Sequence, residues 1–275
     1  MTFEISRNIT FGQYLNLDSV LHRLDPRAKL LGIAVLMTAV MICRTPGGLG
    51  INLLAVALIQ LAGRIPLGYT LRGLRLLVIT MFFLFVFQAI FFQAPPGQAL
   101  WSWWILSLSW AGLLYGALMV VRVVLLYQLT TTLMLSTTLM DLADGVEIML
   151  KPLARVGVPV NELVMTLVVA LKFVPVLIGE LELMLKAQMA RGAAFDQGSL
   201  LARARTVGTT LVPLFINALG RAEVLTAAMH ARCYRGGHGR TKRRVLTLRP
   251  ADGVAFGVAL ILASSAIWLS QGLGI

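Results

Sequence analysis

Five apolar runs, the first of them short for a hydrocarbon core about 30 Å thick unless its helix begins at Pro26, limit this chain more than any other feature. They fall at about residues 30–42, 49–62, 76–92, 111–135 and 251–269. Soluble domains carry roughly 25% charged residues. Here charged residues make up 13% and hydrophobic ones 58%. The expected fold is all-α: a polytopic membrane protein with about five transmembrane helices, followed in part by long amphipathic segments outside the bilayer. The N-terminus is polar and charged up to Lys29, with no short apolar run ending in a small-residue cleavage site, so a cleaved signal peptide is not expected.

The breaks between runs have identifiable chemistry. Asp25-Pro26 is a helix start, with Asp as N-cap and Pro at the first helical position, so Arg27 and Lys29 can snorkel from the first span. Thr45-Pro46-Gly47-Gly48 predicts a tight turn between spans one and two. Ala94-Pro95-Pro96-Gly97 ends the third, and Trp101, Trp103, Trp104 and Trp110 in the uncharged stretch that follows predict an aromatic belt at the membrane surface. Arg122 lies near the middle of the fourth span, where insertion costs roughly 2.5–3.5 kcal/mol, so it should face the bundle interior or water. A gate or substrate contact and a plain donor to a neighbouring helix are both open to it, the second being preferred.

Charge placement sets the orientation. Of the 24 Lys and Arg, four precede the first span, three lie in 64–75 and fifteen in 138–250. Only Arg44 is left outside and Arg122 within the membrane. Basic residues collect on the cytoplasmic side, so the N-terminus is placed inside and the C-terminus outside. The same rule accounts for the net charge of +12 without a nucleic-acid partner.

The segment 136–250 differs from the rest, which gives three parts: residues 1–135 with four spans, 136–250 interfacial or cytoplasmic, and 251–275 with the last span. Leu139 to Ala154 reads as a short amphipathic helix, stopped by Gly157-Val158-Pro159. Two long helical patterns follow, about 161–190 and 200–231, each reaching roughly 45 Å at 1.5 Å per residue. In the second, Ala204, Val207, Leu211, Phe215, Ala218, Ala222, Leu225 and Met229 recur every three or four residues and form one stripe. The early part of the first is nearly apolar enough to be a span, but Lys172 and Pro175 interrupt it, which predicts a position against the bundle at the interface. Each pattern closes on a small-Arg-small tip: Ala190-Arg191-Gly192 and Ala231-Arg232-Cys233. Two levers with such tips have the form of a device that passes force to a partner. Leu163, Val164, Leu167, Val168, Leu171 and Val174 on one, with Leu211, Leu214 and Phe215 on the other, offer more apolar surface than water tolerates and so mark an interface.

Enzymatic chemistry finds no support. There is no Gly-x-x-x-x-Gly-Lys-[Ser/Thr] loop, no His-Glu-x-x-His, and no cysteine or histidine spacing that fits a metal. The Gly236-Gly237-His238-Gly239 run follows a helix, so it reads as a helix stop rather than a phosphate loop.

Several stretches together resemble the transmembrane T component of energy-coupling factor (ECF) transporters. Phe11-Gly12-Gln13-Tyr14 and Asp18 to Lys29 are similar to that family's N-terminal signature. Ser136-Thr137-Thr138 with Asp141-Leu142 is similar to its lead into the first coupling helix, and Leu171-Lys172-Phe173-Val174-Pro175 to its second-helix segment. Ala187 to Gly192 and Ala228 to Gly236 resemble its two Arg motifs, with Cys233 where Gly is commoner. The resemblance covers almost the whole chain in the family's order. It implies a subunit of an ABC transporter complex in the cell membrane that links two cytoplasmic ATPases to a substrate-binding membrane subunit for vitamin or micronutrient uptake. It implies that ATP is bound by the partners and that this chain needs no cofactor. On this resemblance Ala190, Arg191, Gly192, Ala231, Arg232 and Cys233 dock the ATPases, while Leu167, Leu171, Leu211, Leu214 and Phe215 meet the substrate subunit. A dedicated cobalt or nickel permease subunit and a self-contained secondary carrier are the alternatives.

Overall fold

The computed structural model describes residues 19–92, 99–103, 106–193, 200–236 and 248–272. These form two compact units. A membrane unit takes the described residues between Tyr14 and Gly145 and between Val245 and Ile275; a second unit takes those between Val146 and Arg244.

The membrane unit is built from helices that begin where a side chain can satisfy a free N–H. Helix α1 (Pro26–Ile42) starts at Asp25, whose carboxylate accepts the Arg27 N–H at 3.0 Å, with Pro26 in the first turn. Helix α2 (Pro46–Gly63) repeats the device with Thr45, whose hydroxyl accepts the Gly48 N–H at 3.4 Å; the expected turn here is only this cap. Helix α3 (Leu67–Phe91) follows a single left-handed residue, Arg64. Helix α4 (Trp110–Ser136) is capped by Ser109, which accepts the Gly112 N–H at 2.9 Å. Helix α5 (Leu139–Leu150) opens on Thr138, whose hydroxyl accepts the Asp141 N–H at 3.1 Å and donates to the Asp141 carboxylate at 2.8 Å. Strands β1 (Ala99–Trp103) and β2 (Leu106–Ser109) pair antiparallel between α3 and α4, in the uncharged stretch where the sequence predicts an aromatic belt and no strand. The last helix, written α8 in chain order, is Pro250–Gly272.

Small residues decide how these helices meet. Ala259, Ala263 and Ala266 line one face of α8 and are all buried. A Cβ placed on Gly32 of α1 would lie 3.6 Å from that of Ala259, and one on Gly48 of α2 only 2.8 Å from the Ala266 carbonyl oxygen. On α4, Gly112 and Gly116 are four residues apart and back onto the Ala89 and Phe85 carbonyls of α3, at 3.0 and 3.2 Å from their would-be Cβ atoms. Close backbone approach of this kind drives helix association where lipid removes the hydrophobic advantage. Larger side chains fill the centre: Ile33, Leu36, Val40, Leu49, Val56, Leu125 and Leu129 form one core. Val78, Ile79, Phe82, Phe83 and Phe87 of α3 stay exposed, as a bilayer-facing surface should.

The second unit holds a short 3-10 turn (Lys151–Val156) and helices α6 (Val160–Ala190) and α7 (Leu200–Ala231). Pro175 and Pro213 sit inside these helices without ending them. The helix expected over 161–190 thus runs through Lys172 and Pro175, which break its apolar run but not its course: losing one N–H leaves the remaining turns hydrogen-bonded on either side. The amphipathic helix expected to reach Ala154 stops at Leu150, where Pro152 tightens the chain into the 3-10 turn.

Among the described residues five helices are long and apolar enough to cross a membrane, the number expected, and three of them are expected spans. The five are Pro46–Gly63, Trp110–Ser136, Val160–Ala190, Val207–Ala231 and Pro250–Gly272, with Leu77–Phe91 a shorter apolar helix. Helix α1, at 17 residues, reaches about 26 Å. Both long helices of the second unit qualify by length and mean hydropathy, α7 from Val207 onward.

Candidate docking site

The two tips have the same backbone. At the end of α6 the Arg191 N–H reaches the Ala187 carbonyl (3.2 Å), Gly192 reaches Met189 (3.0 Å) and Ala193 reaches Gln188 (3.0 Å). At the end of α7 the Arg232 N–H reaches Ala228 (3.2 Å), Cys233 reaches His230 (2.9 Å) and Tyr234 reaches Met229 (3.0 Å). Each is a left-handed C-terminal cap that closes the last free carbonyls, with Gly192 at φ 86° and Cys233 at φ 55°. Every position in one tip corresponds to a position 41 residues later in the other. Ala190, Arg191, Gly192, Ala231, Arg232 and Cys233 are all exposed. Each arginine thus stands at a helix end with its backbone fixed, small neighbours on both sides and a guanidinium fork free to meet a carboxylate.

Behind the tips the apolar surface divides. Leu167, Leu211 and Phe215 are exposed, Leu171 and Leu214 half-buried. Val164 belongs to the other side: with Val160 it is buried, so the face of α6 expected as one surface is split between contact and exposure. Arg221 of α7 forms an ion pair and hydrogen bond with Glu180 of α6. Gly236, past the second tip, lies beside Glu162 in the first turn of α6, its would-be Cβ 3.5 Å from the carboxylate.

In the membrane unit the polar residues of the signature stretches come together. Lys29 is 6% exposed, and its ammonium donates to the Ser136 carbonyl at 2.9 Å and the His22 carbonyl at 3.3 Å. It precedes the apolar run that starts at Leu30, and burial pulls its pKa down to about 8, against the opposing pull of Asp141, Asp252 and Asp25. Arg122 donates to the Cys43 carbonyl at 2.7 Å. Ser136 ends α4 and Cys43 caps α1, so each of these two helices has its last carbonyl closed by a cation from the other. The structure thus gives Arg122 the helix-packing donor role. Asp252, at 2% exposure, accepts the backbone N–H of Asp25 and of Arg249, each at 2.7 Å. Sequence reasoning missed it; its only signal was a lone acid in the first turn of an otherwise apolar helix. Among the described residues no three His, Cys, Asp or Glu gather where a metal ion could be held.

Phe11 to Tyr14 and Asp18 lie outside the described residues. The family model described as cobalt transport protein, CbiQ, matches residues 18–243, which takes in Lys29, Ser136, the Glu180–Arg221 ion pair and both tips. The chain belongs to this family. Relatives agree along nearly their full length. The energy-coupling factor transporter transmembrane protein EcfT of Thermosediminibacter oceani is 41% identical over 261 residues, covering 95% of this chain and 97% of the relative. The protein of the same name from Acidaminococcus fermentans is 38% identical over 266 residues, covering 97% and 98%. That from Thermanaerovibrio acidaminovorans is 39% identical over 273 residues, covering 98% and 99%. CbiQ membership, together with five apolar helices, makes this a multi-pass membrane protein with a role in transport.

Proposed function

We propose that the chain is the energy-coupling transmembrane subunit of an ECF-type ABC transporter. It passes the work of ATP hydrolysis, done by two partner ATPases, to a substrate-binding membrane subunit that takes up a vitamin or micronutrient. The observation that carries this reading is the pair of matched Arg-bearing tips, supported by relatives named for energy coupling at 38–41% identity over nearly their whole length. Arg191 and Arg232, flanked by Ala190, Gly192, Ala231 and Cys233, dock the ATPases, which bind the ATP. Leu167, Leu171, Leu211, Leu214 and Phe215 meet the substrate subunit, because a large apolar surface with few fixed polar pairs accepts more than one partner. The dedicated cobalt version has the family model's description in its favour, but the relatives that match almost end to end carry the energy-coupling name. A self-contained carrier would need intramembrane polar groups to hold substrate, and Arg122 is already engaged by the Cys43 carbonyl.

Charge reversal tests the tips. Arg191→Glu or Arg232→Glu should abolish uptake and lower ATPase retention at least tenfold, a loss of about 1.4 kcal/mol or more, while the chain still reaches the membrane. Normal retention and uptake in both variants would rule out docking through the arginines. The proposed orientation has the N-terminus cytoplasmic in the cell membrane. A cysteine at Gly97 should then react with an impermeant thiol reagent from outside and one at Gly198 should not; the reverse pattern would overturn it.

A further inference from the structure

Two matched tips are useful to a partner only if their separation is held. Few contacts in the second unit can hold it. Helices α6 and α7 touch over a short stretch, and among the described residues of the two helices only Val160, Val164 and Thr210 are buried. The ion pair of Glu180 with Arg221 is a charged link between them. Its placement is not arbitrary. Glu180 and Arg221 are 41 residues apart, the same step that carries each tip residue onto its counterpart. The pair therefore joins equivalent points of the two helices. From Glu180 to Arg191, and from Arg221 to Arg232, is 11 residues in both cases, so each tip reaches about 16 Å beyond the join. The contact of Gly236 with Glu162 puts the chain past the second tip at the start of α6, the end opposite the first tip. Equal arms thus leave a common join and carry their tips to opposite ends of α6.

We infer that Glu180 and Arg221 are positioning residues: their ion pair is the pivot that holds the two tips at equal reach and fixed separation for a partner with two equivalent sockets. This rests on the docking role proposed for Arg191 and Arg232. An exposed surface pair contributes little as a rule. Here the Glu180 side chain is 16% exposed and its second carboxylate oxygen is buried, so water cannot simply replace Arg221. A socketed pair of tips also binds as two linked sites, whose joint affinity collapses when their spacing no longer matches.

The experiment uses the full chain assembled with its ATPases and substrate subunit in nanodiscs, and the same chain without ATPases. Spin labels go on cysteines at Ala187 and Ala228, equivalent exposed positions just behind the tips, with Cys233→Gly removing the exposed native thiol. The unaltered pair should give one narrow distance distribution. Glu180→Arg or Arg221→Glu should broaden or shift it and lower salt-resistant ATPase retention about tenfold. The double reversal, Glu180→Arg with Arg221→Glu, should restore both. Should a reversal prevent insertion, Glu180→Gln and Arg221→Gln remove the pair without like-charge repulsion and are read in the same way. Single variants that leave the distribution narrow and unshifted overturn the pivot, as does a double reversal that restores nothing. The distance readout needs no ATPase. A pivot that behaves as expected beside tip variants that keep their ATPases would sink the docking proposal and leave the pivot standing.

Discussion

Glycines tell the two units apart. In the membrane unit Gly48, Gly112 and Gly116 are the places where one helix backbone presses on another, each within 3.2 Å of a neighbouring carbonyl oxygen when a Cβ is added. In the second unit Gly179, Gly208 and Gly220 face open space. Among the described residues only the membrane unit uses glycine to bring one helix backbone close to another, although its own Gly50, Gly253 and Gly257 also face open space. Buried polar groups divide likewise. Lys29, Asp25, Asp252 and Arg122 tie three helices of the membrane unit together, whereas the ion pair that links α6 to α7 has a half-exposed arginine. The membrane unit is completed by its own chain. The second unit leaves Leu167, Leu211, Phe215 and other large apolar residues exposed, a surface of the kind that marks an interface.

The largest way to break this contrast is at Lys29. Lys29→Met leaves the Ser136 and His22 carbonyls without their donor and removes a buried cation near Asp141, Asp252 and Asp25, which should cost about 3–5 kcal/mol. Thermal unfolding followed by size exclusion in detergent should show the loss, with Lys29→Arg retaining most of the stability. A methionine variant that melts with the parent would mean that the Lys29 contacts do not hold the unit.

A smaller effect separates the glycines directly. Gly112→Ala forces a methyl against the Ala89 backbone and should destabilise the membrane unit by about 1–3 kcal/mol. Gly220→Ala meets nothing in the isolated chain and should stabilise α7 by about 0.5–1 kcal/mol. If it weakens the assembled transporter while stabilising the chain alone, the open face of α7 is covered by a partner in the complex.

How far these features could be read from sequence follows from their range. Asp25-Pro26, the tips at Arg191 and Arg232 and the course of both long helices are local, set by residues within a turn or two, and they stand as read. The hairpin at 99–109 was missed because its pairing needs a register that composition does not supply. Lys29 meeting Ser136, and Asp252 meeting Asp25, join residues 107 and 227 positions apart, so only the packed helices bring them together. Which apolar helices cross the bilayer is legible only in part, since length and apolarity admit α6 and α7, while charge placement puts their arginines on one side. Val164 turned inward for a similar reason: a stripe of apolar residues shows a face but not where that face is covered.

The smallest effect sharpens the comparison within the second unit, because the two tips differ at a single backbone requirement. Gly192 adopts its left-handed conformation freely, and Cys233 adopts it with a side chain, at a cost of roughly 1 kcal/mol. Cys233→Gly relieves that strain but gives the unfolded chain more freedom, which returns part of the gain, about 0.5 kcal/mol. The net change should therefore be a few tenths of a kcal/mol, confined to the last turn of α7. Amide exchange is the suitable measure, since it reads local opening rather than global stability. In the parent chain the N–H of Cys233 and Tyr234 should exchange faster than those of Gly192 and Ala193, whose bonds are the same. In the glycine variant the two tips should exchange at similar rates. Equal rates in the parent would show that the cap tolerates the cysteine without strain, and the tips would then be matched in energy as well as in geometry.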